Sequence, residues 1–411
     1  MIDSGKHRPK QVQDPANLKR QVCEAVDRLS EPLVSLSRQI FNTPELSLVE
    51  HEAVRLIARM MQEAGFELVH RVAGLETAFR AIHPARSHGP AVAFLAEYDA
   101  LPGIGHACGH NIIAGMAVGA TLAVGTLQER LSGTLQLIGC PAEEKEGGKI
   151  IMVEKGVFDG LDVAMMIHPD SKNGGSKNYL TLVPLEITFK GKASHASAAP
   201  ELGVNALSAV IQTFNSMNAL REHLTPEASI HGIINQGGER TNIIPDLAQC
   251  RFSIRAPSVA YRDELVTKIK NCAKGAALAI GCEVNFNHFD RVYEPMRLNP
   301  PLERAFLDNL ESLDLEVSRT IEQSRGSTDA ANVSQIIPTL HGSVAIVPQE
   351  IKSHTVEFAE ASFSDTGMQA MIHGAKALAM TAVDVFSSEN LFNQIKDHFL
   401  KGKGEDSSPE A

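Results

Sequence analysis

The residues best equipped for chemistry in this chain fall in four short segments. They are Cys108-x-His110 in GIGHACGH, Glu143-Glu144 in PAEEKEGG, His168 in MMIHP and His354 in KSHTVEF. A thiolate, imidazoles and carboxylates are the donors that zinc and similar first-row divalent ions accept. Adjacent glutamates allow a division of labour, one binding metal while its neighbour stays free to take a proton from water. Bound zinc lowers the pKa of water from about 15.7 to about 7, which supplies hydroxide at neutral pH.

Each motif alone has a plain alternative. Cys-x-His can be a buried thiol beside a loop histidine, paired glutamates a solvated face, His168 a core histidine and His354 a surface residue. The case is joint: Asp99, Glu143, Glu144 and His168 all follow apolar strands. Other motifs fit less well. The glycines of GIGHACG do not match G-x-G-x-x-G, and EKEGGK lacks the first glycine and the Ser/Thr of a phosphate loop. Cys108 and His110 as nucleophile and base would leave Glu143, Glu144 and His168 without a role.

The elements that must hold these residues follow from periodicity. Residues 17–43 and 50–65 have helical spacing. Strands are expected at about 77–82, 90–96, 134–141 and 161–168, with a small-residue helix after Asn111 and another at KIIMVEKGVF. Strands alternating with helices make an α/β sheet covered on both faces, with chemistry gathered at the strand C-termini. Near residue 182 the pattern changes to β-α-β-β-α-β, the order of a ferredoxin-like α+β module. The expected organisation is a catalytic domain over 15–181 and 298–400, interrupted by a second domain over 182–297. Residues 1–14 and 401–411 are expected to lack fixed structure.

Composition narrows the classes. The chain has 411 residues, room for two domains, and a net charge of −11. That balance disfavours nucleic acid, which needs a basic face. No apolar run is long enough to span a membrane, and the polar N-terminus does not read as a signal peptide. Six scattered cysteines suit reduced thiols and a cytoplasmic protein.

The segments EYDALPGIGHACGHN, PAEEKEGGK, MMIHP, GKASHASAAP, TNIIP and GSTDAANV, in this order, resemble the aminoacylase/carboxypeptidase family of metallopeptidases. Within it they are most similar to the N-acyl-amino-acid amidohydrolase branch and its dipeptidase and p-aminobenzoyl-glutamate hydrolase group. The resemblance covers roughly residues 17–385 and implies a zinc-peptidase-like catalytic domain with an inserted lid/dimerisation domain. It implies Cys108, His110, Glu144, His168 and His354 as ligands of one or two divalent ions (Zn, Mn or Co). Glu143 would be the general base and later the acid, and Asp99 would orient a ligand. His195 in KASHAS would enter the partner subunit's site and stabilise the oxyanion. Asn242 and Arg255 would contact the substrate carboxylate, with Thr328 and Asp329 lining the site. Many peptidases of the wider family carry His-x-Asp where this chain has Glu97-Tyr98-Asp99, so that histidine ligand is absent here. Asn111 replaces the Asp frequent elsewhere in the branch.

The function implied is metal-dependent hydrolysis of the amide of a small carboxylate-bearing substrate, an N-acyl or aminoacyl amino acid, by a homodimer. Two other classes stay open: a hydrolytic deaminase of an aromatic amine using the same site, and a metal-structured binding protein, which would not need the free carboxylate.

Overall fold

A computed structural model of the chain describes residues 14–83 and 88–405, with side chains as far as residue 401. The chain runs α1 Pro15–Arg28, α2 Ser30–Asn42, α3 His51–Glu63, β1 Glu67–His70, β2 Phe79–His83, β3 Ala91–Ala96, α4 His110–Gly125, β4 Thr134–Gly139, α5 Gly148–Glu154 and β5 Val163–Asp170. It continues through β6 Val183–Lys190, α6 Ala206–Arg221, β7 Ser229–Gln236, β8 Leu247–Arg255, α7 Val259–Ile280 and β9 Glu283–His288. Last come α8 Pro300–Glu311, α9 Ala330–Ser334, β10 Thr339–Ala345, α10 Val356–Phe363, α11 Asp365–Ser387 and α12 Glu389–Glu405. Of the termini expected to lack structure, residues 1–13 and 406–411 lie outside the described residues. Asp14 caps α1 through its side chain, and residues 401–405 continue α12.

Local chemistry sets several boundaries. The helical stretch expected over 17–43 is two helices that meet at Leu29. Pro32 has no N–H to donate to Arg28, so the ladder cannot run through. Strand β1 is not visible in the sequence: it is four residues long and mostly exposed, so it carries no alternating apolar signal.

The six-stranded sheet has the order β1-β2-β4-β3-β5-β10. Its inner pairs β4–β3, β3–β5 and β5–β10 are parallel, while β1–β2 and β2–β4 are antiparallel. Nearly every successive residue of β3, β4 and β5 is buried, so helices cover both faces. Helix α4 is buried along almost its whole length, and its small residues allow close packing on α11. A Cβ at Gly115 would lie 2.1 Å from Met371 Sδ. The α/β class read from the sequence is the class observed.

The second sheet is antiparallel, in the order β7-β8-β6-β9, with its own apolar core of β6, β8, α6 and α7 residues. Its chain order, β6-α6-β7-β8-α7-β9, is the one the sequence pattern implies. Among the described residues no helix is long and apolar enough to cross a membrane.

Candidate metal centre and active site

The C-terminal ends of β3, β4 and β5 meet at one point, and loops from each bring polar side chains there. Just past β3, Asp99 is buried and accepts from three donors. His110 Nδ1 is 2.9 Å from Oδ1; the Glu144 N–H (3.0 Å) and Ser47 Oγ (3.3 Å) reach Oδ2. The first bond fixes Nδ1 as the donor to Asp99 and turns Nε2 toward the centre, where a bound ion would take the place of its proton. Burial opposes charge on both groups, yet the pairing holds Asp99 below the usual carboxylate range and His110 well above that of a free imidazole.

The glutamate pair follows β4 on a tightly held loop. Ala142, a non-glycine residue, sits in the left-handed region at φ 61° immediately before Glu143. Its N–H is held at 2.9 Å by Glu50 Oε1, which also accepts from the Leu48 N–H at 2.9 Å. Thr77 Oγ1 donates to the other Glu50 oxygen at 2.6 Å. Burial pushes the Glu50 carboxyl up to about 7. Two carboxylates, Glu50 and Asp99, therefore fix the backbone on either side of Glu143. Of the following glycines, Gly147 sits in the left-handed region at φ 62°, and Gly148 serves packing: a Cβ there would lie 1.8 Å from the Pro141 carbonyl oxygen.

His168 lies near the C-terminal end of β5 and donates from Nδ1 to its neighbour Pro169 O at 2.6 Å, which frees Nε2. That Nε2 and the His354 Nε2 each lie 3.5 Å from Cys108 Sγ. His354 Nε2 is also 3.4 Å from Glu144 Oε2, and His110 Nε2 is 3.8 Å from Glu144 Oε1. His354 is held in the left-handed region at φ 67°, its N–H bonded to Ala107 O at 2.9 Å. Three donor groups result: Cys108/His110/His168, Cys108/Glu144/His354 and His110/Glu143/Glu144, each with its donor atoms within 4.8 Å of one another. Cys108 belongs to two of them. Among the described residues, His110 Nε2, Glu144 Oε1 and Glu97 Oε2 are buried without a hydrogen-bond partner. Orphaned donor atoms of this kind, in a thiol, imidazole and carboxylate set, fit one or two divalent ions.

Behind the donors lies a buried ion triad that the sequence did not disclose. Lys149 Nζ is 2.5 Å from Glu97 Oε1 and 2.6 Å from Asp329 Oδ1, and its N–H reaches Asp329 Oδ2 at 2.9 Å. The Asp329 carboxylate turns inward to Lys149, while Thr328 beside it is in the cavity wall. Glu97, at the position of the missing histidine, lies 3.5 Å from His110 Nε2. Burial, with Glu97, Asp329 and Glu144 close by, pushes the Glu143 carboxyl well above its usual range.

A cavity of about 450 Å³ opens over these groups, with Cys108, Glu143, Glu144, His168 and His354 in its walls. Arg255, at the end of β8, reaches that wall from the second sheet, donating to Ser327 Oγ at 2.6 Å. His195 and Asn242 are exposed and absent from the wall of their own chain's cavity. They are held together, the Ala196 N–H donating to Asn242 O at 3.0 Å. His195 Nδ1 accepts from the Ala198 N–H at 3.2 Å, which places the ring proton on Nε2, pointing away from its own turn.

Residues 181–280 match the peptidase dimerisation domain of the M20 family. Over its length the chain is 37% identical to the Xaa-Arg dipeptidase of Mus musculus, covering 93% of this chain and 92% of that protein. It is 31% identical to a p-aminobenzoyl-glutamate hydrolase chain of Escherichia coli (strain K12), covering 76% of this chain and 70% of the relative. Its fold is shared by a Bacillus subtilis dinuclear metal-binding peptidase of the M20 family, with a TM-score of 0.70 at 22% identity, over 88% of this chain and 99% of that one.

Proposed function

We propose, from the premise that this chain belongs to the M20 peptidase family, that it hydrolyses the amide bond of a small aminoacyl or N-acyl amino acid. The relatives named above act on substrates of this kind. The observation that carries the reading is the convergence of Cys108, His110, Glu144, His168 and His354 beside Glu143. These five residues would hold one or two ions of zinc, manganese or cobalt. Bound there, the ions would supply Lewis acidity to the scissile carbonyl and acidity to water. Glu143 then takes the proton of the attacking water and returns it to the departing nitrogen. Asp99 keeps His110 in the ligating tautomer. Arg255 clamps the substrate carboxylate with its planar fork, beside Thr328.

The catalytic domain is taken as 15–181 with 298–400, and the lid as 182–297. Dimerisation through the lid is supported by β7, an edge strand of its sheet that exposes Ile233 and Ile234. In the dimer the partner subunit's His195 donates from Nε2 to the developing oxyanion, with the partner's Asn242 beside it. The six unpaired cysteines support a cytoplasmic location.

The test is elemental analysis together with turnover before and after chelation, reading amino acid and ammonia separately. One or two ions per chain and chelator-sensitive release of amino acid are expected. Full activity of metal-free protein overturns the reading, and ammonia without amino acid replaces it with hydrolytic deamination.

A further inference from the structure

Beyond His168 the cavity wall carries two carboxylates for which hydrolysis has no use. Asp170 ends β5, and its Oδ1 accepts the Ser171 N–H at 2.6 Å, so its direction is set by the backbone. Glu322 approaches from the segment before Thr328. Lys177 pairs with Asp170 Oδ2 and lies 3.6 Å from Glu322 Oε2, while Lys172 Nζ is 2.6 Å from Glu322 Oε1. Beside them stand two aromatic polar groups. His341 is only 3% exposed and stacks on His168 with ring centroids 5.8 Å apart. Tyr179 meets His341 edge-on at 5.3 Å. Both line the cavity, and no other described residue hydrogen-bonds the Tyr179 hydroxyl or the His341 ring nitrogens. This wall is continuous with the Arg255 contact, because Ser327 Oγ, which accepts from Arg255, donates to Leu180 O at 2.8 Å.

We propose that Asp170 and Glu322 form the seat for a cationic side chain on the leaving amino acid, and that Lys177 is the intramolecular cation a substrate must displace from it. This rests on the amidohydrolase reading and on Arg255 as the clamp for the substrate carboxylate. The seat is adjacent to that clamp, where the side chain of the same residue must go. The fixed partner is the acid: Asp170 is pinned at a strand end, whereas an ammonium on a four-carbon stem can swing out to water. Tyr179 adds an aromatic face that favours a guanidinium over a neutral chain of equal length. The His341 nitrogens and the Tyr179 hydroxyl offer further polar partners once the lysine has moved.

The experiment uses the metal-loaded full chain with alanyl-arginine, alanyl-norleucine and alanyl-glutamate, reading ratios of kcat/KM. The arginine-to-norleucine ratio should exceed one and fall roughly tenfold or more in Glu322→Gln and in Asp170→Asn, as expected for a lost charge-assisted hydrogen bond. Lys177→Met should raise it. Affinities of L-arginine, L-norleucine and L-glutamate, measured by calorimetry on the same proteins, should move in the same directions. Equal losses on all three substrates would reduce the wall to a structural role. A Lys177→Met protein that selectively loses alanyl-glutamate would show that the lysines read an anion, and either result overturns the proposal. Should the wild type cleave no dipeptide, the amidohydrolase reading fails by itself. The calorimetry then decides the seat: an arginine preference that disappears in Glu322→Gln upholds it, and no preference sinks it.

Discussion

The two sheets of this molecule handle burial in opposite ways. In the six-stranded sheet, β3, β4 and β5 are buried residue after residue, and the side chains at their ends are gripped by partners far away in sequence. In the four-stranded sheet, β8 largely alternates buried and open positions, and β7 at the edge leaves Ile233 63% and Ile234 45% exposed. The covered sheet can hold charged groups at fixed distances, because every group around them is itself packed. The half-covered sheet instead offers an open edge and a pair of exposed donors, His195 and Asn242, to something outside its own chain. One gathers the candidate metal centre, and the other carries the match to the peptidase dimerisation domain.

The sharpest break of that comparison is at the centre of the covered sheet. Glu143→Gln should lower kcat by roughly 10²–10⁴-fold, the usual size of an acid–base contribution, with metal content retained. An active Gln variant would remove Glu143 from its role. Next in size is the buried triad: Lys149→Ala leaves Glu97 and Asp329 facing each other without a cation. It should cost about 3–5 kcal/mol in denaturant unfolding; a loss below about 1 kcal/mol would show that water reaches the triad.

On the lid, His195→Ala should lose about 2.7–4 kcal/mol of transition-state stabilisation without unfolding the protein. Mixing it with inactive Glu143→Gln should restore turnover, since one hybrid site then pairs an intact Glu143 with an intact His195 from the other chain. No recovery in confirmed heterodimers would place His195 in its own subunit's site.

Glu50 tests the covered sheet through pH. Its carboxyl titrates near 7 when folded, against 4.5 for a free glutamate side chain. A raised acid pKa means the folded state holds the proton more tightly, so this stability is present below about pH 4.5 and is lost as pH rises through 7. The loss amounts to about 3 kcal/mol. Glu50→Gln should flatten that slope in urea titrations from pH 5 to 8, and an unchanged slope would assign it to other groups. Smallest of all is Arg251→Ala on the lid, which breaks a partly exposed pair with Glu186 and should cost less than about 1 kcal/mol. A larger loss would mean that the lid surface is as tightly coupled as the core.

What the sequence discloses follows the same division. Cys108, His110, Glu143, Glu144 and His168 are visible because polar residues interrupt apolar strands and small-residue runs, a contrast that needs only local reading. The lid order is legible because its strands and helices change periodicity cleanly. Glu50 and Lys149 are not legible. Their partners, Ala142 and Asp329, lie 92 and 180 residues away, and no local pattern marks a carboxylate or an ammonium destined for burial. Lys149 has only a weak signal, a lone cation opening the apolar run KIIMV after two glycines. His341 looks like any histidine in a buried strand. For Asp329 the direction of the side chain is equally illegible, because at a helix N-terminus it is set by the partner, here Lys149.

Cys108 stands in two donor groups at once. That economy makes the centre vulnerable to oxidants in a way an all-histidine and carboxylate site would not be. Conversion of this one sulfur to a sulfenic or sulfinic acid would strip a ligand from both groups together. Bound ions, by occupying the thiolate, would shield it. Burial pushes the Cys108 thiol well above its usual range, so that oxidation should be slow, and peroxide should remove the capacity to bind metal only on prolonged exposure.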